Sequence, residues 1–225
     1  MSKNAGGKSG RRERGLVLLG LPAFLFLTTT AVFLGAASRL GKEAGYLLGF
    51  LFYWLFWCLF FPRFMLGKAG FSQVLTDRSP LFARRNWPAA ALLAIVTGVT
   101  AILYLSHFVR APWALILLAL PCASANGLCE EILWRGLYVK SFPGNRWLAI
   151  VYPSVGFAAW HFVPQMVFPA ATGTLAFVAA AFLLGLAYGF VAYRTGSARW
   201  TAISHSLNGT LALGGHVAIS ILSLV

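Results

Sequence analysis

Seven long apolar stretches alternate with short polar segments along the chain, at about 16–38, 46–65, 88–108, 113–139, 147–168, 174–193 and 201–224. Each is about as long as the roughly 20 mostly apolar residues that a helix needs to cross a bilayer. The pattern predicts an all-α protein, a polytopic membrane helix bundle of about seven transmembrane helices. The last stretch contains Gly209, Gly214 and Gly215, so it is read either as one broken helix or as two shorter pieces, and the count spans six to eight.

The first stretch follows a basic leader, residues 1–14, with Lys3, Lys8, Arg11, Arg12 and Arg14. Such a leader resembles the start of a signal peptide, but the apolar run exceeds the usual 7 to 15 residues of one. It is therefore expected to stay as a first span. Three N-terminal helices fill residues 15–112, with a polar connection near 67–87. A second helix bundle, expected to hold the chemistry, fills 113–225.

Short cytoplasmic loops keep an excess of Lys and Arg. With seven spans and a cytoplasmic N-terminus, 15 of the 18 cations fall on the inner side, leaving Arg39, Lys42 and Arg110 outside. The short loops fit a multi-pass protein of a bacterial plasma membrane.

Composition sharpens this picture. Of the residues, 59% are hydrophobic and only 10% charged, with a net charge of +13 and a mean hydropathy of +0.77. A soluble domain has about 25% charged residues. The cations sit between apolar runs, so the net charge reads as a topology signal and no nucleic-acid partner is expected. The lipid bilayer is the expected surrounding, and the arginines of the 67–86 segment are expected to be solvated in a loop, with contact to anionic lipid as the alternative. Cys58, Cys122 and Cys129 are odd in number and lie in or beside apolar runs, which fits small packing residues and no disulfide framework.

Only five acids are present: Glu13, Glu43, Asp77, Glu130 and Glu131. The last two are adjacent inside an apolar stretch, and ionisable groups at membrane depth are costly and usually functional. Glu131 and Arg135 stand four apart, where acid and base meet on one helix face, and are expected to form a supporting ion pair. Glu130 is turned about 100° away and has only Leu133 and Trp134 at +3 and +4. Its partner is expected on another helix. His161, His205 and Asn208 are the candidates, and His205 and Asn208 share a helix face. A carboxylate, two imidazoles and an amide are an inventory for activating water and holding an oxyanion. His107, at a span end, and His216, without a polar neighbour at helical spacing, are set aside.

Other hydrolytic designs lack their residues. No histidine precedes a glutamate, as a His-Glu-x-x-His zinc site requires. The single aspartate, Asp77, is in a loop, and the nearest Gly-x-Ser triplet, Gly70-Phe71-Ser72, is outside the apolar spans.

Glu130-Glu131-x-x-x-Arg135, Phe157-x-x-x-His161 and His205 with Asn208 resemble the motifs of the CAAX protease and bacteriocin-processing (CPBP or Abi-type) intramembrane protease family. The run Phe182-Leu-Leu-Gly185-Leu-Ala-Tyr-Gly189 is similar to it as well. The resemblance covers about 123–213. It implies an intramembrane endopeptidase acting on a membrane-associated protein, with Glu130 as base, His161 its partner on the water, and His205 with Asn208 as oxyanion donors. In the family an Asn or Asp usually stands four residues after that histidine, where this chain has Gly209. No cofactor is expected, although family members have often been described as metalloproteases, and a divalent metal such as zinc on Glu130, His161 and His205 stays open. So does a non-catalytic transporter or immunity protein that uses the same cluster. The implied substrates are a prenylated CAAX protein, a bacteriocin or a C-terminal sorting anchor.

Overall fold

The computed structural model describes the backbone of residues 5–224 and the side chains of residues 13–224. Lys3 and the side chains of Lys8, Arg11 and Arg12, four of the leader's five cations, lie outside the described residues. Within them the chain is helical, without a strand. The helices are α1 (Ala5–Leu40), α2 (Lys42–Ser72), α3 (Trp87–Phe108), α4 (Trp113–Ser141), α5 (Tyr152–Trp160), α6 (Phe162–Val167), α7 (Thr174–Thr195), α8 (Arg199–Leu211) and α9 (Gly215–Ser223).

Among the described residues, five segments are long and apolar enough to cross a membrane: Glu13–Leu40, Lys42–Ser72, Arg84–Phe108, Trp113–Ser141 and Thr174–Thr195. The other two apolar stretches fold as interrupted helices. The fifth begins with a π-helical turn, Trp147–Val151, runs through α5 and resumes as α6 after a turn at His161. The last breaks where Leu213, Gly214 and Gly215 take φ of 59°, 67° and 58°, a left-handed path that a continuing helix does not follow.

The interior is aromatic. Tyr53 stacks on Trp160 with ring centroids 3.8 Å apart, and Trp134 donates its indole N–H to the Tyr53 hydroxyl at 2.8 Å. Tyr138 donates to the Leu18 carbonyl at 2.9 Å, tying α4 to α1. These bonds satisfy polar tips that lipid would leave bare. Large side chains such as Phe24, Leu27, Ile102 and Leu117 are exposed instead, as expected of a surface whose solvent is hydrocarbon.

One end of the bundle gathers the basic connections. The Arg78 and Ser79 amides both donate to the Thr195 carbonyl, at 2.8 and 3.1 Å, and the Ala198 amide donates to Val74 at 2.9 Å. The polar 73–86 segment is thereby fastened over the turn between α7 and α8.

Candidate active site

Helix α4 carries most of the charged cluster. Directly after Glu131 its backbone widens into a π-helical stretch, Ile132–Leu137, which contains Arg135. Such stretches are frequent at functional sites because they re-aim side chains within a helix. Glu130, Glu131 and Arg135 are buried. Arg135 Nη1 lies 3.0 Å from Glu131 Oε1, and its guanidinium carbon sits 4.3 Å from the centre of the Phe157 ring. The expected ion pair is thus present, with an aromatic face beside the cation.

His205, from α8, joins the two acids. Its Nδ1 is 3.1 Å from Glu131 Oε1 and its Nε2 3.5 Å from Glu130 Oε2. The charges of Glu130, Glu131, Arg135 and His205 sum to zero when the ring carries both protons, which makes burial of this group tolerable. His205 was expected beside Asn208 as an oxyanion donor; it stands instead between the carboxylates.

Glu130 has a second partner on its own helix. Asn126 Nδ2 donates to Glu130 Oε2 at 3.2 Å, while the Trp54 indole N–H donates to Asn126 Oδ1 at 2.9 Å. An indole N–H only donates, so the carbonyl end of the amide faces Trp54 and the NH2 end faces Glu130. The other carboxylate oxygen, Glu130 Oε1, is buried with no protein hydrogen-bond partner among the described residues.

His161 stands at the turn between α5 and α6. Its Nδ1 is 2.7 Å from the Phe157 carbonyl; a carbonyl only accepts, so Nδ1 carries a proton and Nε2 of the neutral ring is a lone pair. Glu130, Asn126, His161 and His205 all line one cavity of about 860 Å³. Its walls are otherwise mainly apolar.

Asn208 does not line this cavity. Its amide donates to the Tyr188 hydroxyl at 2.9 Å, within a chain that continues to Ser204 at 2.9 Å and Thr97 at 2.8 Å. The reason is rotation: three residues advance a helix by about 300° and four by about 400°. Gly209, four after His205, lies against Ala123 of α4, while Asn208 turns toward α7. His216, set aside from the sequence, lines the cavity and stacks on Phe168 with centroids 4.9 Å apart. Asn126 and Trp54 were missed. The available signal was an amide one helical turn before Glu130, at i−4. Among the described residues no group of three or more His, Cys, Asp or Glu is placed to hold a metal ion, and both nitrogens of His205 face carboxylates.

No curated protein and no solved structure matches the chain. The model of the family described as type II CAAX prenyl endopeptidase Rce1-like matches residues 111–211. That segment runs from just before α4 through α8 and carries Glu130, Glu131, Arg135, His161 and His205. Residues 111–211 are therefore similar to the Rce1-like domain of the type II CAAX prenyl endopeptidases, within a chain whose described residues include five helices long and apolar enough to cross a membrane.

Proposed function

We propose that this protein is an intramembrane endopeptidase that hydrolyses a peptide bond near the C-terminus of a prenylated or otherwise membrane-anchored protein, with water activated by Glu130. The observation that carries this reading is the free oxygen of Glu130. Glu130 lines the apolar cavity and its Oε1 is buried without a protein partner, while Oε2 is held by Asn126 and His205. A carboxylate so oriented takes a proton from a water molecule.

In this mechanism the lone pair on His161 Nε2 accepts the water's other hydrogen and orients it. The water oxygen attacks the scissile carbonyl carbon as Glu130 Oε1 takes the proton. The second N–H of Asn126 serves the carbonyl oxygen as it becomes negative. When the C–N bond breaks, the proton on Glu130 passes to the leaving amine. Glu131 and Arg135 hold His205, and His205 holds Glu130.

A side opening between α3 and α7, which both line the cavity, would admit the lipid-borne part of a substrate. In this reading the N-terminus and the basic end of the bundle are cytoplasmic, in a bacterial plasma membrane. Glu130 lies eleven residues before the end of α4 at Ser141, about 16 Å at 1.5 Å per residue. The site is then reached from the inner face.

The test uses the purified protein in liposomes and a fluorescent peptide with a farnesylated CAAX terminus. Wild type should release the terminal tripeptide, and Glu130→Gln should lower the rate roughly 10²- to 10⁴-fold at an unchanged melting temperature. Full turnover by Glu130→Gln would overturn the mechanism. Turnover should survive chelators; a loss that zinc restores would assign the water to a metal.

A further inference from the structure

A second, smaller pocket lies at the basic end of the bundle, away from the glutamates. It encloses about 130 Å³ and is lined by Arg78, Ser79, Arg85, Tyr193, Arg194 and Gly196, with two apolar neighbours. We propose that this pocket binds the phosphate of an anionic lipid headgroup.

Three observations carry the proposal. The first is that two of the three guanidiniums are held in place. Arg85 Nε donates to Ser79 Oγ at 2.9 Å, and Arg194 Nε donates to Asn86 Oδ1 at 3.4 Å. Asn86 in turn donates to the same Ser79 hydroxyl at 2.7 Å and to the Pro80 carbonyl at 2.8 Å. Ser79 and Asn86 are buried, so the anchors are fixed, and the Nη donors of both arginines stay available for a planar, bidentate oxyanion contact. Arg78 lies along Gly196, whose missing side chain leaves room: a Cβ there would come within 2.9 Å of the Arg78 stem, and φ is +72°.

Secondly, the cations lack an acid. No described ion pair joins Arg78, Arg85 or Arg194 to a carboxylate. Asp77, the acid in this segment, already accepts from Ser197 Oγ and from the Trp200 indole N–H, and Arg199 is 4.0 Å away. Three guanidiniums converging without an acid favour an external anion.

The third observation is level. Phe82, Trp87 and Trp147 are exposed at this end of the bundle, and tryptophans at the ends of membrane helices sit at headgroup depth. A pocket at the same end of the bundle as such residues meets lipid phosphates, and its volume of about 130 Å³ suits a phosphate and its ester carbons but not an acyl chain.

The experiment is native mass spectrometry of the full-length protein in a neutral detergent, with phosphatidylglycerol, phosphatidylcholine or inorganic phosphate added separately. Wild type should retain one phosphatidylglycerol in preference to phosphatidylcholine. Arg78→Gln and Arg85→Gln should each weaken retention about fivefold, the factor for one cation at an anionic surface, and the pair more. Arg84→Gln, on the same loop but outside the pocket, should leave it unchanged. Arg78→Gln removes no described side-chain hydrogen bond, so it tests the site with the loop intact. Equal lipid retention by wild type and the double variant would overturn the proposal. So would saturation by inorganic phosphate with no preference for phosphatidylglycerol, which would make this a free-phosphate site.

Discussion

Replacing Gly127 by alanine adds one methyl group where α4 and α8 touch, and the consequences can be worked from the contacts. A Cβ at this position would lie 2.7 Å from the Ser206 backbone nitrogen, 2.8 Å from Ser206 Oγ and 3.1 Å from the His205 carbonyl carbon. Two of these are backbone atoms, so no rotamer relieves the clash. Ordinary contact begins at 3.4 Å, so α8 must retreat by about 0.7 Å. His205 moves with it. Its contacts to Glu131 and Glu130, now 3.1 and 3.5 Å, stretch to roughly 3.8 and 4.2 Å, beyond hydrogen-bond reach. Overpacking of this kind costs about 1–3 kcal/mol. A misplacement of about 1 Å costs roughly 10²-fold in rate, so kcat should fall on the order of 10- to 100-fold. KM should change little, because the apolar walls from α3 and α7 are untouched. Turnover of the prenylated peptide and thermal unfolding in detergent measure both effects. Ser206→Gly in the Gly127→Ala background removes the Oγ contact but not the backbone one, so it should restore only part of the loss. Wild-type kcat and melting temperature for Gly127→Ala would refute the argument that this close approach sets His205 against the glutamates.

Arg135→Met leaves Glu131 buried with only His205 as a polar partner, and should destabilise the protein by about 3–5 kcal/mol; Glu131→Gln added to it should recover part of that in a thermal unfolding assay. Asn126→Leu removes the amide donor beside Glu130 and should lower kcat roughly 10²- to 10³-fold, measured as a kcat loss at near-constant KM. Trp54→Phe removes the N–H that fixes the amide's direction, and a roughly tenfold lower kcat is expected, the equivalent of one hydrogen bond of about 1.4 kcal/mol.

The cluster of Glu130, Glu131, Arg135, His161 and His205 was legible because ionisable residues inside apolar stretches are few and each demands a partner. The i, i+4 spacing was enough to pair Glu131 with Arg135. Asn126 was legible only as an amide one helical turn before Glu130. It is uncharged, it sits in a run of small residues, and its importance depends on Trp54, 72 positions earlier, reaching its carbonyl. The direction of Asn208 was equally hidden. One residue of offset moves a side chain 100° around a helix, and which side faces the cavity depends on how α8 rolls against α4 at Gly127 and Gly209. Helicity followed from apolar length alone. The interruptions at His161 and at Leu213–Gly215 are local backbone choices; the glycines near 214 signalled the second, and Pro164, which has no N–H to offer the Trp160 carbonyl, signalled the first.

Under the proposed function, the sideways mouth between α3 and α7 changes the meaning of concentration for this protein. A substrate that arrives through hydrocarbon is counted per lipid molecule, not per volume of buffer. Adding inert lipid at a fixed amount of substrate dilutes it in two dimensions, so the rate follows mole fraction in the bilayer. Crowding the same molecules into a smaller membrane area speeds cleavage without any change in affinity.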